Sequence, residues 1–494
     1  MTRVRLDSLR SSARVVRGTA AYTAAAILQR AVLFLLLPFF TRVLSPAEFG
    51  QIGVITTFAS ALSVLVGLGL ETAIFRGYLS AASDTRSAGQ FVNTVGMFAI
   101  FVPLALAAVA TIFAPMVSTG FGVPADALRL ACIGAGTTAA ATLVPLALMR
   151  AQERLGDYLQ LTALQVGVTP VLTILFVAVF GWAVTGWMLA YALSSAILLF
   201  RGLSLLGHPW ALDFNSMHLS RALAFGLPLV PHALSHWGLS VSDRAILGLF
   251  VTGPQIGAYY VAYLFSLPIS LLAIALSQAT QPLYAEAATS ERGVAGLRQL
   301  VTFQSVITIL ATVAVALIGP PLCLTLLPDD YATAADLIPW LAAGTCLFGL
   351  YLVPIAGVAL VAGRTQSVWI ISLAAAGSNI GLNLVLVPQF GTSAAAVDTT
   401  IGYGVLLIGV FLYMRRVCDP PLPYDAGRIA MGVLVICTPA AIAAMVTESS
   451  SVLGLMLRAI VLVGSAAVLL IGPFRREASS AIRAVRSPKR RNVA

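Results

Sequence analysis

Apolar residues form long runs along most of the chain, and short polar turns separate them. A helix of about 20 apolar residues crosses a ~30 Å hydrocarbon core, whereas barrel strands are ~10 residues long and alternate in polarity. The pattern therefore predicts an all-α polytopic membrane protein with about fourteen transmembrane helices. The predicted spans are 19–43, 48–70, 89–114, 124–149, 157–180, 182–206, 222–242, 253–279, 298–319, 332–361, 365–388, 391–414, 428–447 and 451–472.

Basic residues test this count, because cytoplasmic loops are enriched in Lys and Arg. With both termini placed in the cytoplasm, nearly all of the 29 Lys and Arg fall in inner segments or tails. Only Arg42 and Arg244 fall in outer turns. This bias predicts a multi-pass protein of the bacterial cytoplasmic (inner) membrane with both termini inside.

Short sequence matches recur at an offset of about 210 residues. They pair Leu143-Val144-Pro145 with Leu352-Val353-Pro354, Arg154 with Arg364, Phe180-Gly181 with Phe390-Gly391, and Glu48-Phe49-Gly50 with Gln255-Ile256-Gly257. Six spans per half is an even number, so both halves insert the same way. The repeat predicts two pseudo-symmetric six-helix lobes followed by two further C-terminal helices.

The predicted organisation follows from these spans. It comprises a basic cytoplasmic N-terminus (1–18), an N-lobe of spans 1–6 (19–206), a cytoplasmic linker (207–221), a C-lobe of spans 7–12 (222–414), spans 13–14 (428–472) and a basic cytoplasmic tail (473–494). No loop is long enough for a soluble domain, so any chemistry takes place in the membrane or at its faces.

Composition narrows the functional classes. Hydrophobic residues make up 59% of the chain and charged residues 10%, against about 25% charged residues in soluble domains. The formal charge is +10, but the basic residues lie in short clusters between apolar runs, which argues against a nucleic-acid partner. Lys489 is the sole lysine, which excludes a P-loop ATPase. The cysteines are scattered without C-x-x-C pairing, so we expect no metal site, and we predict no cofactor.

Gln29 and Arg30 lie near the middle of the first span. A guanidinium at that depth costs ~2.5–3.5 kcal/mol on insertion scales, so intramembrane arginines are usually functional. We expect both residues to form a cationic cavity wall that binds an anionic headgroup; the alternative is a structural ion pair with an acid on another span. Arg129 in span 4 is a second cavity candidate, although it lies near the outer interface.

Span 7 carries a polar stripe of His232, His236 and Asp243, followed by Arg244, and prolines in 228–231 predict a kink. We expect the histidines to line the cavity, with proton coupling as one option. Their spacing also resembles a metal site, but no nearby acid completes one. Asp243 and Arg244 are candidates for ion coupling or gating, or a local ion pair at the outer interface.

Four further residues complete the candidate site. Tyr259 in span 8 can stack on and hydrogen-bond a sugar, although interfacial tyrosines are common in membrane proteins. Glu71 and Arg76, at the inner end of span 2, can guide a headgroup inward or act as a snorkelling pair. Asp398 lies deep in span 12 and is a coupling or gating candidate.

Two motifs point to a family. Arg42-Val-Leu-Ser-Pro-Ala-Glu-Phe-Gly50 followed by Gly67-Leu-Gly-Leu-Glu-Thr-Ala-Ile-Phe-Arg76 resembles the opening of Wzx-type polysaccharide flippases. These belong to the multidrug/oligosaccharidyl-lipid/polysaccharide exporter superfamily. Asp243-Arg244 with Gly257-Ala-Tyr-Tyr260 resembles the counterpart in the second half. The resemblance implies V-shaped lobes around a central cationic cavity and alternating-access transfer of undecaprenyl-diphosphate-linked oligosaccharide to the outer leaflet.

The functional hypothesis is a flippase, not an enzyme, serving O-antigen, exopolysaccharide or capsule synthesis. The expected partners are the bilayer, the lipid-linked oligosaccharide, a polysaccharide polymerase and a chain-length regulator, and we expect a monomer. Alternatives are a lipid II flippase for peptidoglycan and an ion-coupled multidrug antiporter, which would need acidic cavity residues. A membrane glycan polymerase or ligase would be expected to show a large outer loop.

Overall fold

A computed structural model describes residues 32, 34–81, 84–208, 210–211, 213–287, 291–418, 425, 427–429, 431, 433–436 and 452–471. Every regular element in these ranges is helical, which confirms the predicted all-α class. Within them, nine helices are long and apolar enough to cross a membrane. Predicted spans 1 and 13 extend beyond the described ranges, so the total of about fourteen stays a prediction.

The chain divides into two compact units. Unit 1 contains the described residues through Tyr260 together with Ala376–Ala395. Its helices are α1 (Phe34–Val43), α2 (Pro46–Gly67), α3 (Leu70–Ala81), α4 (Thr85–Phe91), α5 (Met97–Phe121), α6 (Ala125–Ala141), α7 (Ala147–Ala151), α8 (Leu155–Thr173), α9 (Ala183–Leu206), α10 (Ser216–Gly226), α11 (Val230–Phe250) and the start of α12 (Gly253–Ala287). Short π-helical turns, Val92–Gly96, Thr142–Leu146 and Ile174–Val179, continue α4, α6 and α8.

Unit 2 contains Val261–Ala375 and the described residues from Ala396 onward. Its helices are the remainder of α12, α13 (Glu291–Leu326), α14 (Ala334–Ala356) with the π-helical turn Gly357–Ala362, parts of α15 (Val368–Val417), and α16 (Val452–Ile471). The two units do not coincide with the predicted lobes 19–206 and 222–414. The lobes and their V-shaped arrangement therefore stay a prediction.

The sequence motif around Ser45 forms the start of α2. The Ser45 side chain accepts a hydrogen bond from the Glu48 amide (3.3 Å), and the Glu48 carboxylate accepts one from the Ser45 amide (2.8 Å). This capping box satisfies two of the otherwise unpaired amides at the helix start. Pro46 occupies the first helical turn, where its missing N–H has no cost. The Ser-Pro-Ala-Glu motif therefore fixes where the chain turns back into the apolar layer.

Two predicted spans are broken helices that meet at their breaks. Leu68 (φ 49°) and Gly69 (φ 66°) separate α2 from α3, and a 3₁₀ turn, Leu227–Leu229, separates α10 from α11. A Cβ on Gly69 would overlap the carbonyl oxygen of Gly226, so the two backbones are in direct contact. The proline-induced interruption of span 7 is confirmed. Span 2, predicted as 48–70, in fact continues beyond its break to Ala81.

The arginine-bearing helix ends of unit 1 lie together. Arg150 pairs with Glu71, Arg154 Nη2 donates to the Leu205 carbonyl oxygen (2.7 Å), and the Arg76 guanidinium lies 4.8 Å from the Phe225 ring centroid. We call this end, with Arg76, Arg150, Arg154, Arg201 and Arg221, the basic end. At the opposite end, Gln51 Nε2 donates to the Gly122 carbonyl oxygen (3.1 Å). The helices of unit 1 thus alternate in direction, as the hydrophobic pattern predicted.

The internal repeat is visible in local backbone geometry. Glu153 (φ 56°) and Gly363 (φ 64°) hold the same left-handed position directly before Arg154 and Arg364. Each turn follows a helical segment that contains a π-helical turn and carries the repeated Leu-Val-Pro sequence. Gly181 (φ 70°) and Gly391 (φ 60°) also share a positive φ, which glycine adopts without steric cost. The repeat therefore extends to equivalent turns at equivalent positions.

The fourth repeat pair forms a reciprocal contact between α2 and α12. A Cβ on Gly50 would overlap the carbonyl oxygen of Gly253, and a Cβ on Gly257 would overlap the carbonyl oxygen of Pro46. At the repeat offset of 207, Gly257 corresponds to Gly50 and Gly253 corresponds to Pro46, so the two contacts are equivalent under the repeat. A local two-fold axis passes between the two helices, and glycine allows their backbones to touch.

Candidate functional site

A buried polar cluster lies where α11 packs on α12 in unit 1. Asp243 is 2% exposed, Arg244 4% and Tyr259 0%. The Tyr259 hydroxyl donates to one Asp243 carboxylate oxygen, and the Arg244 amide donates to the other (2.8 Å). The Arg244 guanidinium lies 4.8 Å from the Tyr260 ring centroid, a cation–π distance. Burying these charges would be costly without such partners, so the cluster is a built feature of the fold.

Helix α2 covers this cluster. Gly53 leaves space for the Tyr260 ring, whose centroid lies 5.7 Å from that of Phe49. Trp237 Nε1, on α11, donates to Ser60 Oγ (3.1 Å) and lies 3.3 Å from the Thr57 carbonyl oxygen. The buried charges are therefore enclosed by aromatic rings and helix backbone rather than exposed at an outer interface. The coupling or gating role of Asp243 and Arg244, and the alternative of a local ion pair at the outer interface, both stay predictions.

A cavity of about 340 Å³ opens within unit 1, between α1, α2, α8 and α9. Hydroxyl, amide and aromatic side chains contribute to its lining: Thr56, Ser60, Gln165, Thr169, Thr173, Ser194, Phe40, Trp187 and Tyr191. None of the described residues that line it is acidic. Such a lining can donate and accept hydrogen bonds and stack on flat or puckered rings, without attracting a cation.

The predicted site residues are dispersed. Asp243, Arg244 and Tyr259 are brought together, whereas Arg129 pairs with Asp126 (2.9 Å) on the exposed first turns of α6. Gln29 and Arg30 lie outside the described residues. Their cavity role and that of Arg129 stay predictions.

The histidines of α11 lie in different environments. His232 is half-buried, and its Nδ1 has no hydrogen-bond partner among the described residues. His236 is exposed, and its carbonyl oxygen accepts a hydrogen bond from Ser240 (2.6 Å). Within the described part of the chain, no group of three His, Cys, Asp or Glu side chains is placed to hold a metal ion.

Asp398 lies in unit 2 and is fully buried. Both of its carboxyl oxygens lack a hydrogen-bond partner among the described residues. Gln304, on α13, is also buried, and neither its amide nitrogen nor its amide oxygen has a hydrogen-bond partner among the described residues. Unsatisfied buried polar groups are rare in folded proteins, and inside a membrane such groups commonly mark ion pathways.

Glu71 and Arg76 do not pair with one another. Glu71 pairs with Arg150, whereas Arg76 stacks on Phe225 and makes no hydrogen bond or ion pair with described residues. Arg76 also lines a second pocket, of about 330 Å³, at the basic end of unit 1. Arg221 and His218 of α10 line the same pocket. The sequence analysis placed both residues in the predicted linker, 207–221, and their basic character was the signal that pointed to a role.

A segment between α9 and α10 docks on a π-helical turn, which the sequence did not reveal. Asn93 Oδ1 lies 2.9 Å from His208 Nε2 and accepts from the Ala211 amide (3.2 Å). Thr94 Oγ1 donates to the Asp213 carbonyl oxygen (3.1 Å) and accepts from the Asn215 amide (2.9 Å). Asn93 and Thr94 interrupt an apolar run, which is the signal that could have identified them.

Solved structures show the fold that this chain shares. The fold is similar to that of "Lipid II flippase MurJ, inward closed conformation", with a TM-score of 0.66 and 14% identity over 89% of this chain and 99% of that one. It is also similar to an inward-facing multidrug resistance MATE family transporter of the MOP superfamily, with a TM-score of 0.59 and 18% identity over 84% and 95% of the two chains. A MOP superfamily transporter from Pyrococcus furiosus Vc1 gives 0.55 and 19% over 81% and 95%. The chain is therefore a multi-pass membrane protein with a transporter fold.

A family model described as a polysaccharide biosynthesis protein matches residues 39–336, which is more than half of the chain. The chain belongs to this family. A search of curated proteins found no match. The resemblance noted in the opening motifs is thus confirmed for the family and the fold.

Proposed function

We propose that this protein is a flippase that moves lipid-linked oligosaccharide across the cytoplasmic membrane for polysaccharide synthesis. The cavity of unit 1 is the observation that carries the proposal, because its lining suits a sugar. Hydroxyl and amide groups match the many donors and acceptors of a glycan, and Trp187 and Tyr191 offer rings for stacking. Membership of a polysaccharide biosynthesis family supports the same substrate class.

The cavity lining also argues against a multidrug antiporter. A pump for cationic drugs would be expected to have a carboxylate in its cavity, and none of the described lining residues provides one. Arg30 and Gln29 remain the proposed ligands of the diphosphate, by sequence position. A glycan polymerase or ligase is not favoured, because the described loops are short.

A lipid II flippase is the second candidate. The similarity to MurJ over nearly the full length of both chains supports it at the level of the fold. Lipid II also carries a diphosphate and sugars, so the same cavity chemistry serves both substrates. The two candidates differ in the pathway that supplies the lipid and are separated by experiment.

The energy source in this proposal is an ion gradient or downhill flux, because Lys489 alone cannot form a P-loop. Asp398 is the proposed coupling group, since its buried carboxyl has no hydrogen-bond partner among the described residues and can therefore exchange a proton during transport. Asp398→Asn is expected to abolish any dependence of transport on a proton gradient while leaving expression intact. Unchanged gradient dependence in proteoliposomes would exclude this role.

The test of function is complementation in two strains, one lacking its oligosaccharide flippase and one depleted of its lipid II flippase. Wild type is expected to restore only the first and to clear lipid-linked oligosaccharide from the inner leaflet. Gln165→Leu, inside the cavity, is expected to reduce complementation at least tenfold. Thr111→Val, half-buried on α5 and outside the cavity lining, is the matched control. Rescue of only the second strain would assign lipid II, and rescue of neither would reject the proposal. Normal rescue by Arg30→Ala with Arg129→Ala would remove both arginines from the site.

A further inference from the structure

The second pocket of unit 1 has unusual chemistry for its position. It lies between α3, α4 and α10, has a volume of about 330 Å³, and is lined by Arg76, Arg221, His218, Ser80, Phe91 and Phe225 among others. None of the described lining residues is acidic. The pocket therefore combines two guanidinium groups, an imidazole and two hydroxyls with apolar side chains.

The two arginines of this pocket differ from their neighbours at the basic end. Arg150 is paired with Glu71, and Arg154 is bound by Asp157 (2.7 Å) and the Leu205 carbonyl oxygen. Arg76 and Arg221, both exposed, make no hydrogen bond or ion pair with any described residue. Arg150 and Arg154 each have an acidic partner, so a structural role explains their presence. The pocket arginines keep their hydrogen-bond donors available.

Aromatic rings hold the basic groups in place. The Arg76 guanidinium stacks on Phe225, and the His218 ring meets the buried Phe91 edge to face at 5.7 Å. A stacked guanidinium keeps its in-plane N–H donors free while losing rotamer freedom. Such a planar fork binds the oxygens of phosphate bidentately, which a lysine cannot do.

We propose that this pocket binds the phosphate groups of a membrane lipid at the cytoplasmic leaflet. The bias of basic residues places this end of unit 1 inside, where basic pockets between spans bind anionic headgroups. Resting on the proposed function, the occupant is the diphosphate of the lipid-linked substrate, held before it reaches the cavity. A resident anionic phospholipid offers the same phosphate chemistry, and the experiment separates the two.

The test uses the full-length protein in phosphatidylcholine nanodiscs. Undecaprenyl diphosphate is titrated with and without phosphatidylglycerol as competitor, and inorganic diphosphate is titrated separately. Arg76→Gln with Arg221→Gln is expected to weaken undecaprenyl diphosphate binding at least tenfold, because each charge-assisted hydrogen bond contributes ~1.5–3 kcal/mol. Arg201→Gln, exposed on α9 and outside the pocket, is the matched control and should bind as wild type.

Arg76→Lys with Arg221→Lys keeps the charge and loses the fork, and it is expected to give an intermediate affinity. This variant also keeps the test valid if the glutamine variant unfolds, which its melting temperature reports. Equal affinity of wild type and both double variants would overturn the site. Displacement by phosphatidylglycerol at its membrane abundance would overturn the substrate assignment in favour of a resident phospholipid. If the double variants bind more weakly than wild type but wild type fails complementation, the proposed function is rejected and the site stands.

Discussion

At the scale of single residues, the most constrained group is the Asp243 carboxylate. It is buried, yet both of its oxygens accept hydrogen bonds, from the Tyr259 hydroxyl and the Arg244 amide. A buried carboxylate that loses such a donor pays the desolvation cost of the freed oxygen. The Tyr259 hydroxyl is therefore the hydrogen-bond donor that links α12 to Asp243 on α11.

Tyr259→Phe is expected to lower the free energy of unfolding by about 1–3 kcal/mol, because it removes the hydroxyl from Asp243 without changing the packing of the ring. Thermal unfolding of the purified protein in detergent measures the loss. Tyr78→Phe is the control, since Tyr78 is half-buried on α3 and its hydroxyl makes no hydrogen bond with described residues. Equal melting temperatures for the two variants would mean that the Asp243 contact contributes nothing.

Residue roles that depend on distant partners were the hardest to predict. The sequence singled out Glu71 and Arg76 as neighbours on one span, but Glu71 pairs with Arg150, and Arg76 stacks on Phe225. Periodicity gives the face of a helix on which a side chain lies, not which helix covers that face. Asp243 was identified because it continues the polar stripe of span 7 at helical spacing, and Arg244 because it follows directly at the outer end of that span.

At the scale of elements, the α2–α12 contact depends on two glycines. Gly257→Ala is expected to destabilise the protein by about 1–3 kcal/mol, because the new methyl group would overlap the Pro46 carbonyl oxygen and force the helices apart. Thermal unfolding in detergent tests this. Gly120→Ala on α5 is the matched control, since its Cβ would meet open space and helix propensity favours alanine by up to ~1 kcal/mol. A Gly257→Ala variant as stable as Gly120→Ala would contradict the close contact.

The segment docked on Asn93 gives a pH-dependent element. Burial lowers the pKa of His208. The unfolded chain therefore protonates this histidine near pH ~6.5, whereas the folded chain protonates it only at lower pH. Its contribution to stability is therefore complete above that pH and is lost as the pH falls below it. When the pH is lowered from about 7.5 to about 5.5, the melting temperature of wild type is expected to fall more than that of His208→Gln. Parallel falls in both proteins would exclude His208 as the source.

At the scale of the whole molecule, orientation follows from the basic end. Positive-inside bias predicts that the turn after α9 is cytoplasmic and that the turn after α5 is outside. Ser204→Cys, exposed near the basic end, should resist a membrane-impermeant thiol reagent in intact cells, whereas Thr119→Cys, exposed near the opposite end, should react. The described native cysteines are buried, which keeps the background low. The reverse labelling pattern would invert the topology.

Much of the architecture was predictable because the membrane leaves few options. Long apolar runs must be helices, and the repeat at about 210 residues recurs as equivalent turns at Glu153 and Gly363. The break in span 7 was predicted from its prolines. The break at Leu68 and Gly69 was not, because no proline marks it and the left-handed turn is stabilised by packing against Gly226.

The reciprocal contact of Gly50 and Gly257 also bears on how the chain arose. A two-fold contact of this kind is what two identical copies of a half-length protein would make. In such a dimer a single substitution would alter both sides of the contact at once. In a single chain the two sides of the contact can differ, and here Pro46 stands opposite Gly257 while Gly253 stands opposite Gly50. One side carries a proline in the first turn of its helix, and the other carries the glycine backbone that lies against it.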